Sequence, residues 1–432
     1  MKSAPERRRR KAPAWSWLVV AASLGALGLS APAALAGAAA KSNHIVAIGD
    51  IHGDFDAFVG LLQHARLIDG DRRWTGGEIT LVQTGDCVDR GPKVRDVLDL
   101  LMALEQQAPS QGGRVVALLG NHETMNAMSN LRDTSPVSLA AFADGESEAR
   151  REAAYAAHVK LAETRAALLA KADPAIAVPK VYQVPERNGW MAAHPPGFVE
   201  YLDAFGPQGT YGKWLRAHAV VIRLGDTVFL HGGIDPENAP KKLDSLTEQV
   251  QKELARWDRM RKTMIEQQIA LPSFTFEELI EAGRSELQRV ASEARRRAGL
   301  QDGAGPGQAA QVIQQHPLAD LQELDKWVTI SANGPLWFRG YATWRSDEGA
   351  GRLNELQRKY GSVRFVVGHT MTSGFRVMPR FTARVFLIDT GMLSSYYQGG
   401  RASALDIDGG VFTVVTLDGR QVLYDPNATM TR

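Results

Sequence analysis

The sequence has almost no cysteine, because Cys87 is the only one in 432 residues. An intrachain disulfide is therefore excluded, and a chain of this length can stabilise its core without one. Cys87 stands between Asp86 and Asp89, where the alternation of side chains turns it away from its neighbours. We therefore predict that it packs in the interior and does not bind metal.

The chain also lacks a basic block outside its N-terminus. Six of the 50 basic residues and one of the 48 acidic residues lie in residues 1–36, so the remaining chain has 44 basic and 47 acidic residues. Nucleic acids and anionic membrane surfaces attract clustered cations. We therefore expect no nucleic-acid partner, and no internal repeat is evident.

Residues 1–36 have the pattern of a secretory signal peptide. A basic segment ends at Lys11, an apolar stretch runs from Trp15 to Leu29, and Ala34-Leu35-Ala36 follows as a small-residue cleavage site. We expect cleavage, a periplasmic or secreted protein, and no stable membrane insertion afterwards. An uncleaved N-terminal anchor is the alternative, although Ser, Gly and Pro residues weaken the apolar stretch. Both Sec and twin-arginine export stay open.

Short apolar runs rich in β-branched residues predict buried strands, and each of the first three ends in a polar motif. These runs are Ile45–Ile48, Ile79–Gln83 and Val115–Leu119, separated by helical patterns at Phe55–Leu67 and Val94–Glu105. The β-α-β-α-β order predicts an α/β domain with its chemistry at the carboxyl ends of parallel strands.

The rest of the chain adds strands and two helical insertions to one predicted domain, 41–432. Further strands are predicted at Ala219–Arg223, Thr227–Leu230, Val363–Val367 and Val385–Ile388, with antiparallel hairpin strands from Ala404 to Tyr424. The helical insertions lie at about 131–216, including a helix from Ala140 to Ala170, and at about 241–300. The second is dense in alternating charge, which is typical of a solvated face, and a substrate lid is the alternative.

Six motifs supply side chains suited to a pair of metal ions. They are Gly49–Asp54, Gly85–Gly91, Gly120–Glu123, His231–Gly233, Gly334–Gly340 and Gly368–Thr370. Two neighbouring divalent ions need a shared ligand, and a carboxylate serves well. The predicted ligands are Asp86 as the bridge, Asp50 and His52 on one ion, and Asn121, His231 and His369 on the other. Mixed nitrogen and oxygen ligands suit manganese, our first expectation, or iron or zinc, better than calcium.

The remaining motif residues suit a phosphoryl group and a proton. Arg90 and Arg339 would bind phosphoryl oxygens, because a planar guanidinium matches them with paired hydrogen bonds. His122 would protonate the leaving oxygen, and Asp89 would hold His122. Trp337 and Phe338 would wall an aromatic substrate pocket or pack in the core.

These motifs resemble those of the calcineurin-like metallophosphoesterases of the phosphoprotein phosphatase type. The specific part is Asp86-Cys87-Val88-Asp89-Arg90-Gly91 with Asn121-His122-Glu123, and Gly334–Tyr341 is similar to the bacterial Shewanella-like protein phosphatases. The resemblance covers about Lys41 to Gly391. It implies a four-layer fold, with a central β-sandwich flanked by helices, a bimetal centre often loaded with manganese or iron, and phosphomonoester hydrolysis.

The expected function is that of an exported metal-dependent phosphatase that attacks phosphomonoesters with a metal-bridging hydroxide. A phosphorylated protein, carrying phosphotyrosine or phosphoserine/threonine, or a small phosphomonoester is the expected partner. The sequence shows no counterpart of the C-terminal loop of eukaryotic Ser/Thr phosphatases. Their preference for phosphoserine and phosphothreonine therefore does not carry over to this chain. A dinucleoside polyphosphate or nucleotide hydrolase is the alternative, and a non-catalytic metal-binding module is a remote one.

Overall fold

The described part of the chain comprises residues 44–173, 175–297 and 306–428 of a computed structural model. The predicted signal peptide, residues 1–36, lies outside these ranges. Among the helices within them, none is long and apolar enough to cross a membrane.

Eleven strands of the described ranges form two mixed sheets. The first sheet has the order β11-β10-β9-β1-β2-β3 and the second has the order β4-β5-β6-β8-β7. The strands are β1 Ile45–Ile48, β2 Thr80–Gln83, β3 Arg114–Ala117, β4 Val221–Leu224, β5 Thr227–Leu230, β6 Arg364–Val367, β7 Met378–Arg380, β8 Val385–Leu387, β9 Ser403–Asp408, β10 Val411–Thr416 and β11 Gly419–Tyr424. β1, β2 and β3 are parallel, as the sequence predicts, and so are β5, β6 and β8.

The two sheets pack face to face as a β-sandwich. Successive residues of a strand point to opposite faces, so Ile45 and Ala47 of β1 belong to the apolar cluster between the sheets, together with Phe386 and Phe412. The rings of Phe386 and Phe412, one from each sheet, stack at 4.3 Å. Val46 lies on the opposite face, in the cluster shared with the helices. The predicted α/β fold with a central sandwich flanked by helices is confirmed.

Thirteen α-helices accompany the sheets in the described ranges. They are α1 Phe55–His64, α2 Val94–Gln107, α3 Asn121–Ala127, α4 Pro136–Ala140, α5 Ser147–Ala172, α6 Arg187–Ala193, α7 Phe198–Phe205, α8 Thr210–Arg216, α9 Asp244–Glu266, α10 Phe276–Arg297, α11 Pro306–Gln314, α12 Gly340–Thr343 and α13 Ser346–Tyr360. α1 begins where Asp54 accepts a hydrogen bond from the backbone N–H of Ala57, an N-cap that satisfies a free donor.

One helix prediction was wrong in its start, and one predicted helical insert consists of two helices. The helix predicted from Ala140 begins only at Ser147, because the Asp144 carboxylate accepts from the backbone N–H of Glu146 and holds a turn there. The charged segment predicted as one helical insert is two helices, α9 and α10. Pro272 falls between them, and a proline removes the backbone donor that a continuous helix needs.

The charged insert is not a fully solvated surface, because α9 buries an apolar face. Leu254, Trp257 and Met264 of α9 have almost no exposed surface and belong to the main apolar cluster. The C-terminal hairpins are confirmed at β9, β10 and β11, but their place in the first sheet was not predicted. β9 pairs antiparallel with β1, so the end of the chain borders the first strand.

Candidate metal centre

The predicted metal ligands meet at the carboxyl ends of strands from both sheets. Asp50 follows β1, Asp86 follows β2, His231 follows β5 and His369 follows β6, and all four side chains are buried. Parallel strands deliver their carboxyl ends to one edge of a sheet. The sandwich brings the two edges together, so residues 319 positions apart are in contact: the Asp50 carboxylate accepts from the backbone N–H of His369 at 3.0 Å.

Glycines in these motifs allow the chain segments to approach one another. A Cβ at position 120 would stand 2.2 Å from Oδ1 of Asp86, and one at position 368 would stand 2.3 Å from Oδ1 of Asp50. Any side chain at either position would displace a predicted metal ligand. This close approach explains why glycine precedes Asn121 and His369 in the motifs.

Several site residues have a left-handed backbone, which non-glycine residues rarely adopt. The φ angles are 48° at His52, 60° at Asp86, 66° at Asp89, 65° at Arg90 and 65° at His369. Such conformations cost of order 1–3 kcal/mol each and persist where surrounding contacts enforce them. Their concentration in the motifs indicates that the backbone is bent to aim these side chains inward.

Glu123 supplies many of those enforcing contacts. Its buried carboxylate accepts from the backbone N–H groups of Asp86 at 2.7 Å, Cys87 at 2.8 Å and Gly120 at 2.8 Å. Charge-assisted bonds of this kind are about twice as strong as neutral ones. Glu123 therefore fixes the loop that carries Asp86 against the start of α3, where Asn121 and His122 lie.

Three histidines have one ring nitrogen occupied by a backbone carbonyl. Nδ1 of His52 contacts the Val88 carbonyl at 2.8 Å, Nδ1 of His231 contacts that of Thr84 at 3.0 Å, and Nε2 of His369 contacts that of Trp337 at 3.1 Å. Each of these nitrogens must donate its hydrogen. The other nitrogen of each ring has a lone pair when the ring is neutral, and the neutral ring is the form that binds a metal.

Asp86 lies at the middle of the donor set. Oδ2 of Asp86 is 3.2 Å from Nε2 of His231 and 3.8 Å from Nε2 of both His52 and His122. Two groups of buried donors share this aspartate, namely His52, Asp86 and His122, and Asp86, His231 and His369, with the donor atoms of each within 4.8 Å of one another.

Asp50 and Asn121 are close to these groups. Oδ2 of Asp50 is 3.9 Å from Nε2 of His52, and Oδ1 of Asn121 is 2.9 Å from Nε2 of His231. All six predicted ligands therefore lie at one centre. His122, predicted to handle a proton, also presents Nε2 to it.

The charges of this centre call for cations. Burial, followed by the charges of Asp389 and Asp86, raises the pKa of Asp50 well above its usual range. Burial alone would also raise the pKa of Asp86, but the adjacent His231, His122 and His52 lower it well below its usual range. Buried carboxylates crowded in this way are usually paired or bound to metal. The donor set thus fits two divalent ions in its chemistry as well as in its spacing.

The two predicted phosphate-binding arginines stand on different sides of the centre. Nη2 of Arg90 is 3.0 Å from Nε2 of His122, and Nη1 contacts His52 and the hydroxyl of Tyr397. Arg339 is exposed, and its Nη1 donates to the His369 carbonyl and to the Thr370 hydroxyl, both at 3.1 Å. One guanidinium thus borders the His52 side and the other borders the His369 side.

Asp89 and His122 form the predicted acid–imidazole pair. Oδ2 of Asp89 is 2.7 Å from Nδ1 of His122, and Asp89 also accepts from Asn126 at 2.9 Å and from the Thr134 hydroxyl at 2.6 Å. Burial lowers the pKa of His122, but the charge of Asp86 and the bond to Asp89 outweigh it, so the pKa is raised. The Asp89 carboxylate thus favours the charged form of the His122 ring.

Trp337 and Phe338 differ in their surroundings. Trp337 is half-buried and lines a cavity of about 580 Å³, and its ring meets that of His369 edge to face at 5.9 Å. Phe338 is 7% exposed and packs its ring against those of Tyr341 and Trp344. Trp337 fits the pocket-wall interpretation, whereas Phe338 both lines the cavity and packs in the core. Cys87 is buried in the main apolar cluster, as predicted.

Three residues of the centre received no role from the sequence. Glu123 stands inside a motif, and Asp389 directly follows the predicted strand Val385–Ile388, so their positions were a usable signal. Tyr397 had no such signal in the sequence, because its hydroxyl contacts Arg90, a residue 307 positions away in the chain. The rings of Tyr396 and Tyr397 also lie 5.4 and 5.6 Å from the Arg90 guanidinium carbon, so this pair holds the arginine in place.

Residues 44–169 match the sequence model of the calcineurin-like phosphoesterase family. The chain contains a calcineurin-like phosphoesterase domain. The matched range carries Asp50, His52, Asp86 and Asn121 of the metal centre, whereas His231, Arg339 and His369 lie beyond it. The sandwich brings these later residues of the phosphoesterase fold to the same centre.

Comparisons with known proteins agree with this assignment. The chain is 31% identical over 214 residues to Shewanella-like protein phosphatase 2 of Arabidopsis thaliana, covering 49% of this chain and 51% of that protein. It is 40% identical over 76 residues to the symmetrical bis(5'-nucleosyl)-tetraphosphatase of Cronobacter sakazakii, covering 18% of this chain and 22% of that enzyme. The chain thus spans about half or less of these curated relatives.

A solved structure is also similar. The cold-active protein-tyrosine phosphatase of a psychrophilic Shewanella species is 23% identical, with a TM-score of 0.49, over 88% of this chain and 80% of that one.

Proposed function

We propose that this chain is a metal-dependent phosphatase that hydrolyses phosphomonoesters, with phosphoproteins as its substrate class. The observation that carries the proposal is the pair of buried donor groups that share Asp86, bordered by Arg90 and Arg339. A metal pair beside two guanidinium groups suits a doubly negative phosphoryl group, because both neutralise charge on its oxygens.

Six residues would hold the metals. Asp50 and His52 would bind one ion, Asn121, His231 and His369 would bind the other, and Asp86 would bind both. When bound, the metals would lower the pKa of water so that it attacks phosphorus at neutral pH. Imidazole and oxygen donors suit manganese, iron or zinc, and we propose manganese first.

The chain's own residues would orient the phosphoryl group and move a proton. Arg90, held by Tyr397, and Arg339, held at His369 and Thr370, would donate hydrogen bonds to phosphoryl oxygens. Nε2 of His122 would give its proton to the leaving oxygen, while Asp89 holds Nδ1 and stabilises the charged ring.

Similarity to a named protein phosphatase supports phosphoproteins as the substrate class. One relative is called a Shewanella-like protein phosphatase. Phosphotyrosine and phosphoserine/threonine both stay open, and a small phosphomonoester would use the same chemistry.

Hydrolysis of dinucleoside polyphosphates or nucleotides is the second candidate. The similarity to a bis(5'-nucleosyl)-tetraphosphatase over 76 residues favours it. Rates on a phosphotyrosine peptide and on diadenosine tetraphosphate, measured side by side, separate the two candidates. A higher kcat/KM on the dinucleotide would replace the first proposal by the second.

A substrate panel tests the proposal directly. The chain without residues 1–36 is reconstituted separately with manganese, iron and zinc, and each form is given phosphopeptides, small phosphomonoesters and diadenosine tetraphosphate. In His122→Ala, hydrolysis of phenyl phosphate should fall far more than that of p-nitrophenyl phosphate, because only the poor leaving group needs the proton. Equal losses would remove the acid role, and metal binding without any turnover would favour a non-catalytic module.

We also propose that the chain is exported, to the periplasm or out of the cell, with residues 1–36 removed. The basic segment, the apolar stretch and Ala34-Leu35-Ala36 support this proposal. N-terminal sequencing of protein from the extracytoplasmic fraction should begin at Gly37. Recovery of the intact N-terminus in the membrane fraction would favour the uncleaved anchor.

A further inference from the structure

The cavity of about 580 Å³ shares Arg339 with the proposed phosphate site. Arg339 lines it, and so does Trp337, whose carbonyl contacts His369 at 3.1 Å. A phosphoryl group bound by Arg339 would therefore have this cavity beside it. A volume of this size fits a large side chain together with adjoining backbone.

Part of the lining of the cavity is apolar. The side chains of Met125, Met128, Phe276, Trp337 and Trp344 contribute this surface. Methionine adapts to irregular partners and aromatic rings give large apolar contact areas. These side chains suit an apolar or aromatic group of the substrate. The proposed phosphomonoester hydrolysis does not itself need such a group.

The charge of the cavity is entirely positive. Arg132 and Arg339 are its only charged lining residues, and no lining residue is an acid. The Arg132 side chain is 55% exposed, and its guanidinium carbon lies 5.7 Å from the centre of the Trp337 ring. Its ion pair with Asp133, at 3.2 Å, is a surface contact of small energy. Arg132 is therefore available to an acidic group that enters along Trp337.

The charged helical insert contributes Phe276 to the wall of this cavity and holds a second part of the wall in place. Phe276, the first residue of α10, donates its backbone N–H to the Ser129 carbonyl at 2.9 Å, and its ring packs at a tilt against the Trp257 ring of α9 at 5.0 Å. These contacts fix the insert beside the end of α3. The insert thus forms part of the wall beside the metal centre.

The second part of the wall is fixed by a buried carboxylate of α9. Glu253 accepts from the backbone N–H groups of Val328 at 3.1 Å and Thr329 at 2.9 Å. The Thr329 carbonyl in turn accepts from Nε1 of Trp337 at 3.0 Å. The insert therefore positions the Trp337 ring, which lines the cavity and meets the His369 ring at 5.9 Å.

We propose that this cavity is a specificity subsite for the polypeptide around the phosphorylated residue, in which Arg132 binds an acidic side chain and Phe276 and Trp337 bind an apolar one. The proposal rests on the proposed function as a protein phosphatase. It assigns the insert a task in substrate selection. Acidic phosphoproteins would be preferred over basic ones.

Phosphopeptides that differ only in flanking charge test Arg132. Each peptide carries Glu or Lys at successive positions beside the phosphorylated residue, and the readout is the ratio of kcat/KM for the acidic and basic members. We expect the wild-type ratio to favour the acidic peptide at one position at least, and Arg132→Glu to lower it by roughly tenfold there, since attraction becomes repulsion. Arg358→Glu, an exposed arginine of α13 outside the cavity, should keep the wild-type ratio.

The apolar wall is tested by Phe276→Ala on peptides with Phe or Gly beside the phosphorylated residue. The preference for Phe should fall several-fold, because truncation removes part of the contact area. Each ratio is internal to one variant, so a loss of folded protein cancels.

The outcomes separate the subsite from the function on which it rests. If phosphopeptides are hydrolysed but neither variant changes its ratio, the subsite is overturned and the phosphatase proposal stands. If p-nitrophenyl phosphate is hydrolysed and no phosphopeptide is, the protein phosphatase function itself fails. Faster turnover of diadenosine tetraphosphate, lost in Arg132→Glu, would assign the cavity to a nucleoside and overturn the peptide subsite.

Discussion

The substitution Glu123→Gln should loosen the metal centre although Glu123 is not a predicted ligand. Oε2 of Glu123 accepts from Asp86 and Gly120, and Oε1 accepts from Cys87. A glutamine can keep two of these bonds through its single oxygen. Its NH₂ group would then face the backbone N–H of Cys87, donor against donor.

The cost can be worked out from those contacts. Leaving one buried donor unsatisfied costs about 1–3 kcal/mol, and charge-assisted bonds become neutral ones. Part of this is recovered, because burial and the charge of Asp86 raise the pKa of Glu123 and the substitution removes that buried charge. We expect the free energy of unfolding to fall by about 2 kcal/mol. The loop that Glu123 holds carries Asp86. Metal affinity should therefore fall by roughly 10- to 100-fold, as it does when other residues that support metal ligands are replaced.

Urea unfolding measures the free energy of unfolding, and metal titration measures the metal affinity. Both are carried out on the wild-type chain and on Glu123→Gln. Glu286→Gln is the matched control, because Glu286 is also a buried carboxylate but binds Arg165 and Arg289 away from the centre. It should lower stability and leave metal affinity at the wild-type value. Wild-type metal affinity in Glu123→Gln would refute the argument that this carboxylate positions Asp86.

Two further substitutions test neighbouring contacts. Asp89→Asn removes a charge that raises the pKa of His122, so His122 should lose its acid form at lower pH. The alkaline limb of the kcat–pH profile for phenyl phosphate should therefore move to lower pH. An unmoved limb would contradict the role of Asp89. Tyr397→Phe removes the hydroxyl that contacts Arg90, so KM for p-nitrophenyl phosphate should rise by roughly three- to tenfold, whereas an unchanged KM would show that Arg90 is held without it.

The sequence carried enough information to place the six predicted ligands at one centre, because each follows a short apolar run. A strand buried on both faces has a short run of apolar residues that is recognisable in the sequence. The polar residue that follows the run then lies at the carboxyl end of the strand, at the edge of the sheet. The same reasoning predicts β1, β2 and β3 as parallel neighbours. The same reasoning did not predict where the second sheet packs or that β9 pairs with β1. No local feature of Ser403–Asp408 specifies a partner strand 358 residues away.

Other features depend on tertiary contacts that no local pattern contains. Tyr397 holds Arg90 across the fold, and Glu253 reaches Thr329 from within a helix whose sequence reads as a solvated face. The helix start at Ser147 was missed because alanine-rich sequence favours helix while the Asp144 turn overrides it. Composition therefore indicated the insert's helices but not the face that they bury.

Metal content and turnover of Asp86→Asn test the central claim most directly. The wild-type chain, reconstituted with manganese, should hold two ions per chain by elemental analysis and hydrolyse p-nitrophenyl phosphate. Because Asp86 is the ligand shared by both donor groups, Asp86→Asn should lose metal and fall to background turnover while keeping the wild-type far-ultraviolet circular dichroism. Near-normal turnover, or two ions retained with unchanged affinity, would contradict a centre built on Asp86.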